Sequence, residues 1–87
     1  MIEREIIVNH MAGLHSETAS VFVQTAGQFK SKIWAKNERS MVSAKSLLGI
    51  LSLNVREGEH FTLIADGCDS NEASDALVDL IDSVNEC

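Results

Sequence analysis

The chain has 87 residues, of which 13 are acidic and 7 basic, giving a formal charge of −6, and 45% are hydrophobic. That length suits a single domain over residues 1–87 with one core and is too short for two, while the balance of apolar and charged residues is that of an ordinary soluble globular protein. The acidic balance disfavours nucleic acid and anionic lipid, which attract basic patches, and no apolar run approaches the roughly 20 residues of a membrane span.

Ile2, Ile6 and Val8 fall on one side of an alternating run, which predicts a half-buried first strand despite Glu3, Arg4 and Glu5. The start, Met-Ile-Glu-Arg-Glu, does not resemble a secretory signal, and the chain is expected in the cytoplasm. Asn9 to Gly13 form a loop that delivers His15. From Ser16 to about Gly27, Ala19, Phe22, Val23 and Ala26 recur at helical spacing, with Glu17, Ser20, Gln24 and Gln28 on the outer side and Gly27 suited to the helix end. Val21 is an apolar side chain on the polar side, either a harmless exposed residue or part of a docking patch.

His15 therefore stands at the mouth of a helix. The first backbone N–H groups of a helix have no intrahelical partner, and with the macrodipole they form a site for an anion. An imidazole beside such a cradle points to phosphoryl chemistry, because its neutral form is populated at pH 7 and offers a nucleophilic nitrogen. The plainer reading is a polar flank residue at a helix start.

Lys32 to Lys36 alternates, with Ile33 and Ala35 on one face and Trp34 on the other. Ser40 to Ser43 is expected to pair back across Asn37-Glu38-Arg39, although that turn lacks the Gly of an Asn-Gly connection. A short helix follows from Ser46 to Ser52 or Leu53, with Ser46 able to cap its free N–H groups. Leu47, Leu48, Ile50, Leu51 and Leu53 are apolar nearly all round, so some must face solvent or a partner. Gly58 interrupts the chain before a fourth strand, His60 to Asp66, with Phe61, Leu63 and Ala65 on one face. The last helix opens with Asp69 and Glu72 at capping-box spacing and turns Ala73, Ala76, Leu77, Leu80, Ile81 and Val84 inward, leaving an acidic solvated face. The order β-α-β-β-α-β-α predicts an α+β fold: an open-faced sandwich of a four-stranded antiparallel sheet with three helices on one face.

Cys68 and Cys87 lack the spacing of a zinc site or a redox pair and are read as free thiols. His10 and His15 have no further ligand to complete a metal set, and His60 reads as a solvated residue at a strand start, so neither a metal nor another cofactor is expected.

Gly13-Leu14-His15, then Phe22-Val23-Gln24, and later Ala44-Lys45-Ser46-Leu47-Leu48-Gly49-Ile50-Leu51-Ser52-Leu53, resemble the two signatures of the histidine-containing phosphocarrier family, HPr, and the likeness runs nearly end to end. The resemblance implies the open-faced sandwich. It also implies that His15 is phosphorylated by Enzyme I at the expense of phosphoenolpyruvate and passes the group to a sugar-specific IIA component. The amides near Ser16 and Glu17 would hold the phosphate oxygens. Leu47 and Leu48, with the first turns of the helix after His15, would form the docking surface. In some Gram-positive members the serine corresponding to Ser46 is phosphorylated by HPr kinase, and a phosphate at a helix N-terminus is electrostatically favourable.

One departure stands beside the histidine. The family usually reads a small residue, Arg and Pro there, and this chain reads Ser16, Glu17 and Thr18. Two unit charges about 6 Å apart interact by roughly 0.7 kcal/mol in water and about 2.8 kcal/mol at an effective dielectric near 20. Exchanging attraction for repulsion is therefore expected to weaken phosphorylation by one to three powers of ten, toward the lower end because Glu17 is free to turn into solvent. Glu17 has a stabilising reading as well, since a carboxylate in a first helical turn complements the dipole. Arg56 is expected either to pair with Glu17 or to approach the phosphate. The alternative function is a Crh-like regulatory paralogue that binds a transcription regulator after Ser46 phosphorylation; such proteins lack the histidine that this chain keeps. A stand-alone hydrolase is disfavoured because no nucleophile and base pair stands beside His15.

Overall fold

The computed structural model describes residues 1–8, 16–53, 55, 56 and 58–85. The elements run β1 (Ile2–Ile7), α1 (Ser16–Ala26), β2 (Lys32–Lys36), β3 (Met41–Ser43), α2 (Leu47–Leu53), β4 (His60–Asp66) and α3 (Ser70–Asn85). The four strands form one antiparallel sheet in the order β1-β4-β2-β3. Alternation sorts each strand onto two faces. Ile6, Ile33, Ala35, Phe61, Leu63 and Ala65 point into the core, while Trp34, Thr62 and Ile64 lie on the other face and are only half-buried.

The three helices cover the core face. α3 lies over β1 and β4, α2 over β2 and β3, and α1 packs against both other helices. The spacing of Ala19, Phe22 and Ala26 on α1, of Ile50 and Leu53 on α2, and of Ala73, Leu77 and Ile81 on α3 sets which side each helix buries. Phe22 and Phe61 join α1 to the sheet, with ring centroids 6.0 Å apart in an edge-to-face contact. On the helix side, Arg4 of β1 reaches Asp75 of α3, 3.0 Å from nitrogen to oxygen.

The expected elements are all present, with bounds shifted by a residue or two. β3 begins at Met41 rather than Ser40, and α1 ends at Ala26. α2 begins at Leu47 because Ser46 is its cap: the Ser46 hydroxyl accepts the Gly49 N–H at 3.1 Å.

Two local arrangements differ from expectation. The β2–β3 turn works without Gly because the Asn37 side chain organises it, its oxygen accepting the N–H groups of Arg39 and Ser40 at 2.9 Å. The Asn37 amide nitrogen also donates to the Leu53 carbonyl at the end of α2, at 3.1 Å. At the start of α3, the Asp69 carboxylate turns away from a capping box and accepts the N–H groups of Lys30 and Ser31 and the Ser31 hydroxyl. Asp69 keeps its place before the helix, since its own carbonyl accepts the Ala73 N–H at 2.9 Å. The position of Val84 on the inner face, the loop 9–13 and Cys87 lie outside what is described.

Candidate functional site

α1 starts at Ser16, the residue directly after His15, and so presents its unpaired N-terminal N–H groups at that point of the chain. His15 itself lies outside the described residues, as does the side chain of Ser16. Glu17 is in the first turn of α1 and is exposed, where its carboxylate complements the helix dipole.

The apolar residues singled out on the two neighbouring helices are on the surface. Val21 of α1 is 44% exposed, and Leu47 and Leu48 of α2 are 43% and 82% exposed. Ile50 and Leu53 take the buried side of α2, so the excess of leucines in this short helix resolves into a core half and a solvent half. α1 and α2 pack together, and each leaves apolar side chains on its solvent side.

Ser46 is exposed at the N-terminus of α2, its hydroxyl used as the cap. Arg56 is exposed as well, but it forms no ion pair with Glu17: among the described residues, Arg4–Asp75 is the only one. The segment around Arg56 closes on itself instead. The Arg56 N–H donates to Glu59 Oε1 at 2.8 Å, and the Glu59 N–H returns to the Arg56 carbonyl at 3.0 Å, with Gly58 at a φ of 85° between them.

A cleft of about 490 Å³, absent from the sequence reading, opens near the start of β4. Glu3, Lys36, Arg39, Glu59, His60 and Thr62 contribute to its lining, and none of the described residues predicted for the site does. Its members come from three separated stretches, a juxtaposition that no local motif signals. No helix among the described residues is long and apolar enough to cross a membrane.

The described residues form a small open-faced α+β sandwich with exposed apolar side chains on α1 and α2. A family model described as "PTS HPr component phosphorylation site" matches residues 2–83. The chain belongs to the HPr phosphocarrier family. It is 40% identical over 81 residues to the phosphocarrier protein HPr of Neisseria meningitidis, covering 93% of this chain and 91% of that protein. It is 38% identical over 77 residues to the HPr-like protein Crh of Bacillus subtilis, covering 88% and 91%. A crystal structure of HPr-C-His from Thermoanaerobacter tengcongensis superposes with a TM-score of 0.95 at 45% identity, covering 100% of this chain and 98% of that one.

Proposed function

We propose that the protein is a cytoplasmic phosphocarrier of the phosphoenolpyruvate-dependent sugar phosphotransferase system, accepting a phosphoryl group on His15 from Enzyme I and passing it to a IIA component. The observation that carries this reading is a histidine immediately before the N-terminus of α1 in a chain that matches the HPr family over residues 2–83.

In this mechanism the neutral imidazole attacks phosphorus with a nitrogen lone pair, the bond from phosphorus to the donor breaks, and a phosphohistidine forms. The free amides at the start of α1 receive the phosphoryl oxygens and the helix dipole favours their charge. Transfer onward reverses the step, an acceptor nucleophile taking the phosphoryl group and the imidazole regaining its lone pair. Val21, Leu47, Leu48 and Arg56 supply contacts to the protein partners, while Glu17 sets a carboxylate against the phosphate and slows the reaction.

The test is incubation with phosphoenolpyruvate and Enzyme I. An acid-labile phosphoryl group is expected on the wild type and is lost in His15→Ala. Glu17→Arg is expected to speed labelling by about tenfold or more, from the Coulomb difference between repulsion and attraction. Absence of labelling at any enzyme concentration would overturn the carrier role.

A second reading has its own support in the 38% identity to Crh and in the exposed Ser46 at the start of α2. Here HPr kinase phosphorylates Ser46 and the product binds a transcription regulator. Labelling by ATP and the kinase that disappears in Ser46→Ala, with none from phosphoenolpyruvate, would favour it over the carrier.

A further inference from the structure

The cleft near the start of β4 has two charged walls, each held by its own turn. On one side Asn37 fixes the β2–β3 turn by accepting the N–H groups of Arg39 and Ser40. Arg39 Nη2 then lies 3.5 Å from the Leu53 carbonyl oxygen, and the other guanidinium N–H groups have no partner among the described residues. On the opposite side the Arg56 N–H holds Glu59 Oε1 at 2.8 Å, which leaves the second carboxylate oxygen without a partner among the described residues. Arg39 and Glu59 line the same cleft, yet they form no ion pair, and neither do Lys36 and Glu3 in the same lining. Opposite charges that share one space without meeting are both available to a ligand that carries both signs.

We propose that this cleft binds a small zwitterion of the α-amino-acid class. Arg39, helped by Lys36, takes the carboxylate, whose two oxygens match the planar fork of the guanidinium. Glu59, helped by Glu3, takes the ammonium, which has three donors to offer and needs acceptors. The carboxylates of Glu3, Glu38 and Glu59 outnumber the cations Lys36 and Arg39, so with His60 neutral the lining is one charge negative. That balance favours a neutral or basic amino-acid side chain. It disfavours a phosphate dianion, which would add two charges of the sign already in surplus. A metal ion does not fit either, since among the described residues no three His, Cys, Asp or Glu side chains are grouped as its ligands.

The volume, about 490 Å³, lies within the roughly 300–1,000 Å³ of small-molecule sites. Glu3, Lys36, Arg39 and Glu59 are all exposed, so solvent screens their charges and the binding is weak. The dissociation constant is expected on the order of 1 mM. None of the described residues proposed for phosphoryl transfer lines the cleft, so this inference stands or falls separately from the phosphocarrier reading.

NMR titration of the full chain with L-glutamine at constant ionic strength tests the proposal. Saturable shifts are expected at the amides of Gly58, Glu59, His60 and Thr62. On the wild type, blocking the ligand's amine by acetylation or its carboxylate by amidation is expected to weaken binding at least about tenfold, the scale of a lost charged hydrogen bond, and L-glutamate is expected to bind more weakly than L-glutamine. Arg39→Gln and Glu59→Gln are each expected to weaken L-glutamine binding about tenfold for the same reason. Glu59→Gln keeps an oxygen for the Arg56 N–H, so the turn is preserved while the charge is lost. Inorganic phosphate is expected not to displace the amino acid. Shifts that do not saturate by about 50 mM, equal binding of either blocked form, variants that bind like the wild type, or phosphate binding in place of L-glutamine would overturn it.

Discussion

At Asp69 one carboxylate joins two parts of the chain that the sequence keeps 38 residues apart, by accepting the N–H of Ser31. The Ser31 hydroxyl holds its pKa below the ordinary value of 3.8, the Lys30 N–H adds to this, the Ser31 and Asp69 N–H groups contribute less, and desolvation opposes them. A folded pKa below the unfolded one means that the carboxylate's contribution to stability is present above about pH 4 and is lost as pH falls through the folded value. Asp69→Asn is expected to lower the melting temperature at pH 7, with a gap to the wild type that narrows as the pH drops below about 4; thermal melts across pH 2 to 7 measure both, and a constant gap would contradict the argument. Ser31 is buried against Gly67, where an added Cβ would come within 2.7 Å of the Ser31 Cα. Gly67→Ala is accordingly expected to cost about 1–3 kcal/mol in urea denaturation, the usual penalty of overpacking. Neither contact was legible in the sequence. Asp69 at capping-box spacing from Glu72 advertised a local role, and the partner that won lies across the fold.

At the scale of elements, periodicity was enough wherever a segment had one buried side. β1, α1, β4 and α3 follow from the alternation of Ile2, Ile6 and Val8, the helical recurrence of Ala19, Phe22 and Ala26, and the corresponding sets in β4 and α3. The leucine-rich α2 was harder, since its residues are apolar nearly all round; only packing on β2 and β3 decides that Ile50 and Leu53 go inward and Leu48 outward. The hairpin was legible as a hairpin, but not its fastening to α2. Asn37 both shapes the turn and caps the Leu53 carbonyl, while the Arg39 guanidinium approaches the same oxygen at 3.5 Å. Asn37→Ala is expected to destabilise the protein by about 1–3 kcal/mol, the range for leaving partly buried partners unsatisfied. Hydrogen exchange should show the loss both in β3 and in the last turn of α2. Protection lost only in the turn would show that the fastening to the helix matters little.

For the molecule as a whole, the sheet divides two tasks. Its inner face builds the core with three helices, and its outer face is left to solvent. The Phe22–Phe61 contact is the aromatic join between the α1 layer and the sheet. Phe22→Ala is expected to cost about 3–5 kcal/mol, read from the urea midpoint, and to loosen α1, where the candidate phosphoryl site begins. The site was legible to a different extent from the fold: the histidine at a helix start and the surplus apolar residues on α1 and α2 were visible as types and spacings. That Arg56 forms no ion pair with Glu17 was not, because the spacing of residue types does not show where an exposed side chain reaches across the fold.

The pairing of Ile2 with Ala65 makes the first strand an edge whose neighbour is the last strand to be made. On a ribosome, β1 emerges early and waits through about 60 residues of synthesis before its ladder exists. The closing of so wide a loop is the kind of contact that slows folding. The sheet therefore finishes from its N-terminal edge, and the waiting strand is where a nascent chain is most exposed to a mistaken partner.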